Sequence, residues 1–151
     1  NMLEGKALPV YGDGSNVRDW LYVSDHAEAV QAIVEDGRTG ETYNIGGENE
    51  WTNLDLVHRL CEEVASQTNQ PAQELFDLIK FVPDRPGHDK RYAIDCGKIK
   101  SELGWKQAHD FGAGLRETVA WCLSNTEWVD AVRSGEYREW IARNYADLGR
   151  E

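Results

Sequence analysis

The sequence predicts an α/β chain, α+β-like in arrangement, built from short strands and several helices and lacking a complete doubly wound sheet. Three observations lead there. Short runs with alternating or apolar character, such as Leu8–Tyr11, are bounded by glycine and proline turns. Several longer segments repeat apolar residues at helical spacing. The two kinds of segment mix without a regular βαβ rhythm, and no glycine-rich fingerprint opens a helix.

The elements follow in order. Leu8–Tyr11 is a first strand, with Leu8 and Val10 on one side and Pro9 and Tyr11 on the other. Gly12-Asp13-Gly14-Ser15 turns the chain, and "VRDWLYV" alternates as a second strand. Ser24 or Asp25 is placed to cap a helix ending near Asp36, with Ala27, Val30, Ile33 and Val34 as its stripe and Gly37 and Gly40 as its stop. "ETYNIGG" reads as a strand. Thr52 with Asp55 three residues on is a capping pattern ahead of Leu56, Val57, Leu60 and Val64. "QTNQPAQ" is a polar break, and "LIKFVPD" and "RYAID" are further strands. "CGKIKSELGW" is a short helix stopped by Gly104. "FGAGLRETVAWCLSN" is a helix with Leu115, Val119, Cys122 and Leu123 on one side. One or two helices close the chain.

Composition bounds the function. The 151 residues carry 16 Lys plus Arg against 27 Asp plus Glu, a formal net charge of −11. That balance argues against nucleic acid or an anionic membrane as partner. No apolar run approaches the ~20 residues that span a bilayer, and no secretory signal opens the chain. Cys61, Cys96 and Cys122 lack metal or disulfide spacing, so they read as reduced cytoplasmic thiols in the core, with no metal site. Asn1 ahead of Met2 suggests a piece of a longer protein.

Against this acidic background, "DRPGHDKRY" concentrates Arg85, His88, Lys90 and Arg91 around a Pro86-Gly87 turn. One reading is a solvated loop neutralised by Asp84 and Asp89. The other points Arg85 and His88 into one concavity for a diphosphate, which carries about two negative charges and favours bidentate arginine. His88 would then donate best as imidazolium. Arg18 is either a surface ion-pair partner of Asp19 or Asp25, or a fixed fork aimed at the same anion. Pro9 and Tyr11 either cover a core edge or form a plate for a flat base. Asn53 either caps its helix or donates to a ligand at the positive helix end. The sequence lacks a Tyr-Lys hydride-transfer pair and a Ser-His-Asp arrangement.

Four segments in order, "LPVYGDGSNVRDWLYVSDHAEA", "GETYNIGGENEWTNLDLV", "FVPDRPGHDKRYAID" and "KIKSELGWK", resemble the C-terminal part of the dTDP-glucose 4,6-dehydratases, which are extended short-chain dehydrogenases/reductases of the nucleotide-sugar epimerase and dehydratase group. The resemblance covers nearly the whole chain. It implies that residues 1–151 form one C-terminal nucleotide-sugar-binding lobe. Pro9, Val10 and Tyr11 would lie against the base, and Arg18 and Asn53 would hold ribose and phosphates. Asp84, Arg85 and His88 would belong to a loop closing on the diphosphate, and Tyr145 would cap the pocket. Trp105 would be structural.

The resemblance further implies that the parent converts dTDP-glucose to dTDP-4-keto-6-deoxyglucose with loss of water, in deoxysugar biosynthesis. NAD would sit on an N-terminal Rossmann domain absent from this chain, so no catalytic or cofactor-binding residue is expected here and the lobe alone should be inactive. The parent would be a homodimer in the cytoplasm. The face toward the missing domain should be unusually apolar. Two alternatives stay open: a lobe of a related UDP- or GDP-sugar dehydratase, decarboxylase or epimerase, or a non-catalytic protein-interaction module.

Overall fold

A computed structural model describes residues 1–135. The first strand, β1 (Leu8–Tyr11), follows a short 3-10 turn, and its side chains alternate as expected: Val10 is buried while Pro9 and Tyr11 are exposed. Gly14 carries a φ of 74° in the turn that follows, a conformation an L side chain rarely adopts. A Cβ there would also lie 2.8 Å from Leu54 and 2.9 Å from Val10. The turn leads into β2 (Val17–Asp19), which is shorter than the alternation suggested.

Helix α1 (Val23–Asp36) comes next, then β3 (Glu50–Thr52), α2 (Asn53–Thr68) and α3 (Ala72–Phe76), the last beginning at the end of the expected polar break. The chain continues through β4 (Ile79–Val82), α4 (Gly97–Leu103), α5 (Phe111–Ser124) and α6 (Thr126–Ser134). Two small sheets result. β1 pairs in parallel with β4, Leu8 opposite Ile79 and Tyr11 opposite Val82. β2 pairs antiparallel with β3, Val17 opposite Thr52 and Arg18 opposite Trp51. The short strands and many helices agree with the α/β reading, and no complete doubly wound sheet forms among the described residues.

The helices bury their stripes in two clusters. Cys61, Val64 and Ala65 of α2 meet Leu75 of α3 and Val119 of α5. Ala29 of α1, Cys96, Ile99 of α4 and Trp105 form the second cluster, with Leu21, Ile33, Tyr43 and Ile45 packed against it. The two buried cysteines behave as small apolar residues, whereas Cys122 is exposed and lies outside the core that its spacing suggested.

Three further expectations are corrected. The α1 stripe is rotated: Ile33 packs inward, but Val30 and Val34 are exposed along with Val23, leaving an apolar face on this helix. Neither Ser24 nor Asp25 caps α1, which starts after Tyr22 without a side-chain cap, because the Asp25 carboxylate is engaged elsewhere. The segments 41–47 and 91–95 are not strands, apart from one bridge between Arg91 and Val17. The end of the first docks on a side chain instead of a ladder. Asp19 Oδ2 accepts the Gly47 N–H at 2.8 Å and Oδ1 accepts the Asn49 N–H at 2.8 Å. Thr52 does cap α2 as expected, its hydroxyl oxygen accepting the Asp55 N–H at 3.0 Å.

Candidate functional site

Because β1 and β4 are parallel, their carboxyl ends open on the same side, the usual place for a ligand on an α/β sheet. Two loops leave from that side: residues 12–16 after β1 and residues 83–92 after β4. They are joined by backbone hydrogen bonds. Gly12 N–H donates to the Val82 carbonyl (2.9 Å), Val17 N–H to Lys90 (2.8 Å), and Tyr92 N–H to Val17 (3.0 Å). The start of α2 is docked in the same way, Asn53 N–H donating to Asn16 (2.9 Å) and Leu54 N–H to Gly14 (3.0 Å). Four separate stretches of sequence are thereby drawn to one edge.

Asp84 organises the charged loop. Its Oδ1 accepts the Arg85 N–H at 2.9 Å and lies 2.6 Å from His88 Nδ1. The His88 hydrogen bond, against some desolvation, holds the Asp84 carboxyl below its ordinary value of 3.8. His88 is only 7% exposed at its side chain, with its ring edge-on to Tyr11 at 6.3 Å. Asp84 and His88 thus brace each other, as the solvated-loop reading had for Asp84. The Arg85 side chain is exposed and makes no hydrogen bond or ion pair among the described residues.

Arg18 lies beneath this loop. Its guanidinium donates to the carbonyls of Val17 (2.6 Å) and Asp89 (3.0 Å), and its Cζ stands 4.5 Å from the centre of the Tyr92 ring. Neither Asp19 nor Asp25 pairs with it; both carboxylates are turned to other partners. Asn16 also donates to the Asp89 carbonyl, at 3.1 Å. The Tyr92 hydroxyl donates to the Asp89 carboxylate, which raises its pKa; Arg18 and Arg85 both pull the other way. Arg18 is thus tied, through Asp89 and Tyr92, to the same loop that carries Arg85. The cavity of about 530 Å³ bounded by Trp51, Arg59 and Phe111 has neither guanidinium in its wall.

Of the other residues singled out, Pro9 and Tyr11 share the exposed face of β1, with Tyr11 50% exposed. Val10 points into the core, so only its backbone is available to a ligand. Asn53 heads α2 with its side-chain amide unpaired among the described residues, while the cap is supplied by Thr52. Tyr145 lies outside the described residues. Sequence reasoning missed Asn16 and Tyr92, and read Asp89 only as a neutralising charge, not as the carbonyl that holds Arg18. Tyr92 sat within the quoted loop, but stacking on an arginine far along the chain leaves no spacing signature.

Gly12 and Gly14 do not form a dinucleotide cradle. The Gly14 N–H closes a turn on the Tyr11 carbonyl (3.1 Å), and a strand follows where a phosphate-binding helix would have to start. NAD thus has no fitted site on these residues. Among the described residues no helix is long and apolar enough to cross a membrane, and no cluster of three or more His, Cys, Asp or Glu could hold a metal.

The chain is 54% identical over 145 residues to dTDP-glucose 4,6-dehydratase of Salmonella typhimurium, an alignment covering 96% of this chain and 40% of that protein. A solved structure of DesIV, the dTDP-glucose 4,6-dehydratase of Streptomyces venezuelae, with NAD and TYD bound, superposes with a TM-score of 0.75 at 40% identity, over 85% of this chain and 37% of that one. The Bacillus anthracis dTDP-glucose 4,6-dehydratase in complex with NAD gives a TM-score of 0.71 at 46% identity, over 85% and 38%. The fold is that of the C-terminal part of an extended short-chain dehydrogenase/reductase. The family model for GDP-mannose 4,6 dehydratase matches residues 1–118, and the chain belongs to that family. It spans about 40% of the length of the Salmonella relative.

Proposed function

We propose that this chain is the substrate-holding, C-terminal part of a dTDP-glucose 4,6-dehydratase, an NAD-dependent hydro-lyase that converts dTDP-glucose to dTDP-4-keto-6-deoxyglucose with loss of water. The observation that carries the reading is the Arg85 guanidinium. It is unpaired among the described residues, on a loop braced by Asp84 and His88 and tied to Arg18 through Asp89 and Tyr92, in a chain of net charge −11. An open arginine fork in an acidic surface suits a diphosphate. Pro9 and Tyr11 offer the base an apolar plate, and Asn53 offers an amide at the start of α2.

On this reading the lobe contributes by position. Binding energy from the nucleotide, remote from the reacting carbons, holds the sugar against groups elsewhere in the protein. NAD, bound on another domain, accepts and returns the hydride. The chain alone then turns over no dTDP-glucose. The parent enzyme works in deoxysugar synthesis as a cytoplasmic homodimer.

A second reading, a GDP-linked sugar, is favoured by the description of the matching family. Calorimetric titration of dTDP, UDP and GDP into the protein expressed from its complete reading frame separates the two. dTDP should bind at least tenfold more tightly than GDP, and Arg85→Ala should weaken dTDP roughly tenfold to a hundredfold while the melting temperature holds. A preference for GDP would establish the second reading. Indifference to all three nucleotides by a folded protein would refute both.

A further inference from the structure

The proposed role of Arg18 depends on where its guanidinium points, and the structure identifies what points it. The Tyr92 ring covers one face of the guanidinium at 4.5 Å. Tyr92 is fixed at two places: its N–H donates to the Val17 carbonyl at 3.0 Å, and its hydroxyl donates to the Asp89 carboxylate. The same two residues hold Arg18, which donates to the Val17 and Asp89 carbonyls at 2.6 and 3.0 Å. Ring and guanidinium are therefore referenced to one pair of anchors, one on β2 and one on the loop after β4. A flexible arginine seated on a fixed aromatic face loses rotamer freedom before a ligand arrives, which lowers the cost of ordering it on binding. Two N–H donors are taken, and the rest of the fork makes no hydrogen bond among the described residues.

We propose that Tyr92 is a positioning residue for nucleoside-diphosphate binding, acting through Arg18: its ring holds the guanidinium ready for the diphosphate and does not itself touch the ligand. The inference rests on the diphosphate-binding reading above. Its chemistry is specific. The face of the ring does the work, so phenylalanine should serve and an aliphatic side chain should not. The hydroxyl bond to Asp89 keeps the loop tidy and is secondary.

A double-mutant cycle in the protein expressed from its complete reading frame tests this, with dTDP affinity read by calorimetry and folding by thermal melting. Tyr92→Leu should weaken dTDP binding roughly fivefold, and Tyr92→Phe should stay within about twofold of the natural protein. In an Arg18→Ala background, Tyr92→Leu should cost nothing further. An equal loss with and without Arg18 would assign Tyr92 a merely structural role and overturn the proposal. So would a loss of more than about threefold with Tyr92→Phe, the variant that keeps ring volume and tests the idea even if Tyr92→Leu does not fold. Failure of the unaltered, folded protein to bind dTDP would instead remove the underlying reading, and this inference with it.

Discussion

Asp25, completely buried in the first turn of α1, accepts hydrogen bonds from both the backbone and the ring of His109, just ahead of α5. Its Oδ2 takes the His109 N–H at 3.0 Å and its Oδ1 lies 2.7 Å from Nδ1. The ring also rests on Tyr22 at 4.5 Å, with Glu117 3.8 Å from Nε2. One carboxylate thereby joins the start of α1 to the segment that leads into α5.

This pair makes stability depend on pH. The Asp25 hydrogen bond, partly offset by desolvation, raises the His109 pKa above its ordinary 6.5. Burial pushes the Asp25 carboxyl up, but the His109 bonds outweigh it and leave it below 3.8. The histidine's contribution is complete below pH 6.5 and is lost as pH rises through its raised value. The aspartate's is complete above pH 3.8 and is lost as pH falls through its lowered value. Melting temperature should therefore peak between those limits. His109→Ala, which strands the buried carboxylate, should flatten the alkaline limb and lower the maximum by more than any single exposed ion-pair substitution does. An unchanged pH profile in that variant would show that the pair contributes nothing.

The Asp84 brace yields a prediction about binding. Asp84→Asn removes a negative charge near the proposed diphosphate, which favours binding, and leaves His88 and the Arg85 N–H with a weaker, neutral acceptor, which opposes it. Asp84 is 42% exposed at its side chain, so its repulsion is screened by water and salt and the positional loss should win. Affinity for dTDP should fall about tenfold with little change in melting temperature. In the natural protein the brace should persist above pH 3.8 and loosen only as pH falls through the lowered Asp84 value. Tighter binding by the variant would mean that charge outweighs geometry at this site.

Gly47 is required by close packing. A Cβ there would stand 2.1 Å from the Trp20 carbonyl oxygen and 2.8 Å from its carbon, so the Trp20 backbone itself would have to shift. Gly47→Ala should cost about 3 kcal/mol or more in urea unfolding. A loss below about 1 kcal/mol would contradict the docking of residues 41–47 described above.

Thr52→Ala removes the α2 cap and should cost about 1 kcal/mol by the same measurement. The helix start also carries Asn53, so the variant should weaken dTDP binding modestly, whereas Asp110→Ala, which uncaps α5, should not. Equal effects of the two on affinity would detach Asn53 from the site.

The sequence alone determined what depends on neighbours a few residues apart. The alternation of Leu8–Tyr11, the Thr52 cap three residues from Asp55 and the stop of α4 at Gly104 are satisfied within one turn or one strand, and their signals lie in the local order of residues. So does the charge anomaly of residues 84–92, which marked the candidate site. Tertiary structure alone decided which partner each long-range group took. Asp25 offered itself as a cap but was drawn to His109, because a buried carboxylate is held where donors converge. Residues 41–47 read as a strand, yet Asp19 captured the amides of Gly47, at their end, and of Asn49 just beyond. Arg18 looked toward nearby aspartates but settled on Tyr92 and two carbonyls, a choice made only once β2 and the loop after β4 were brought together.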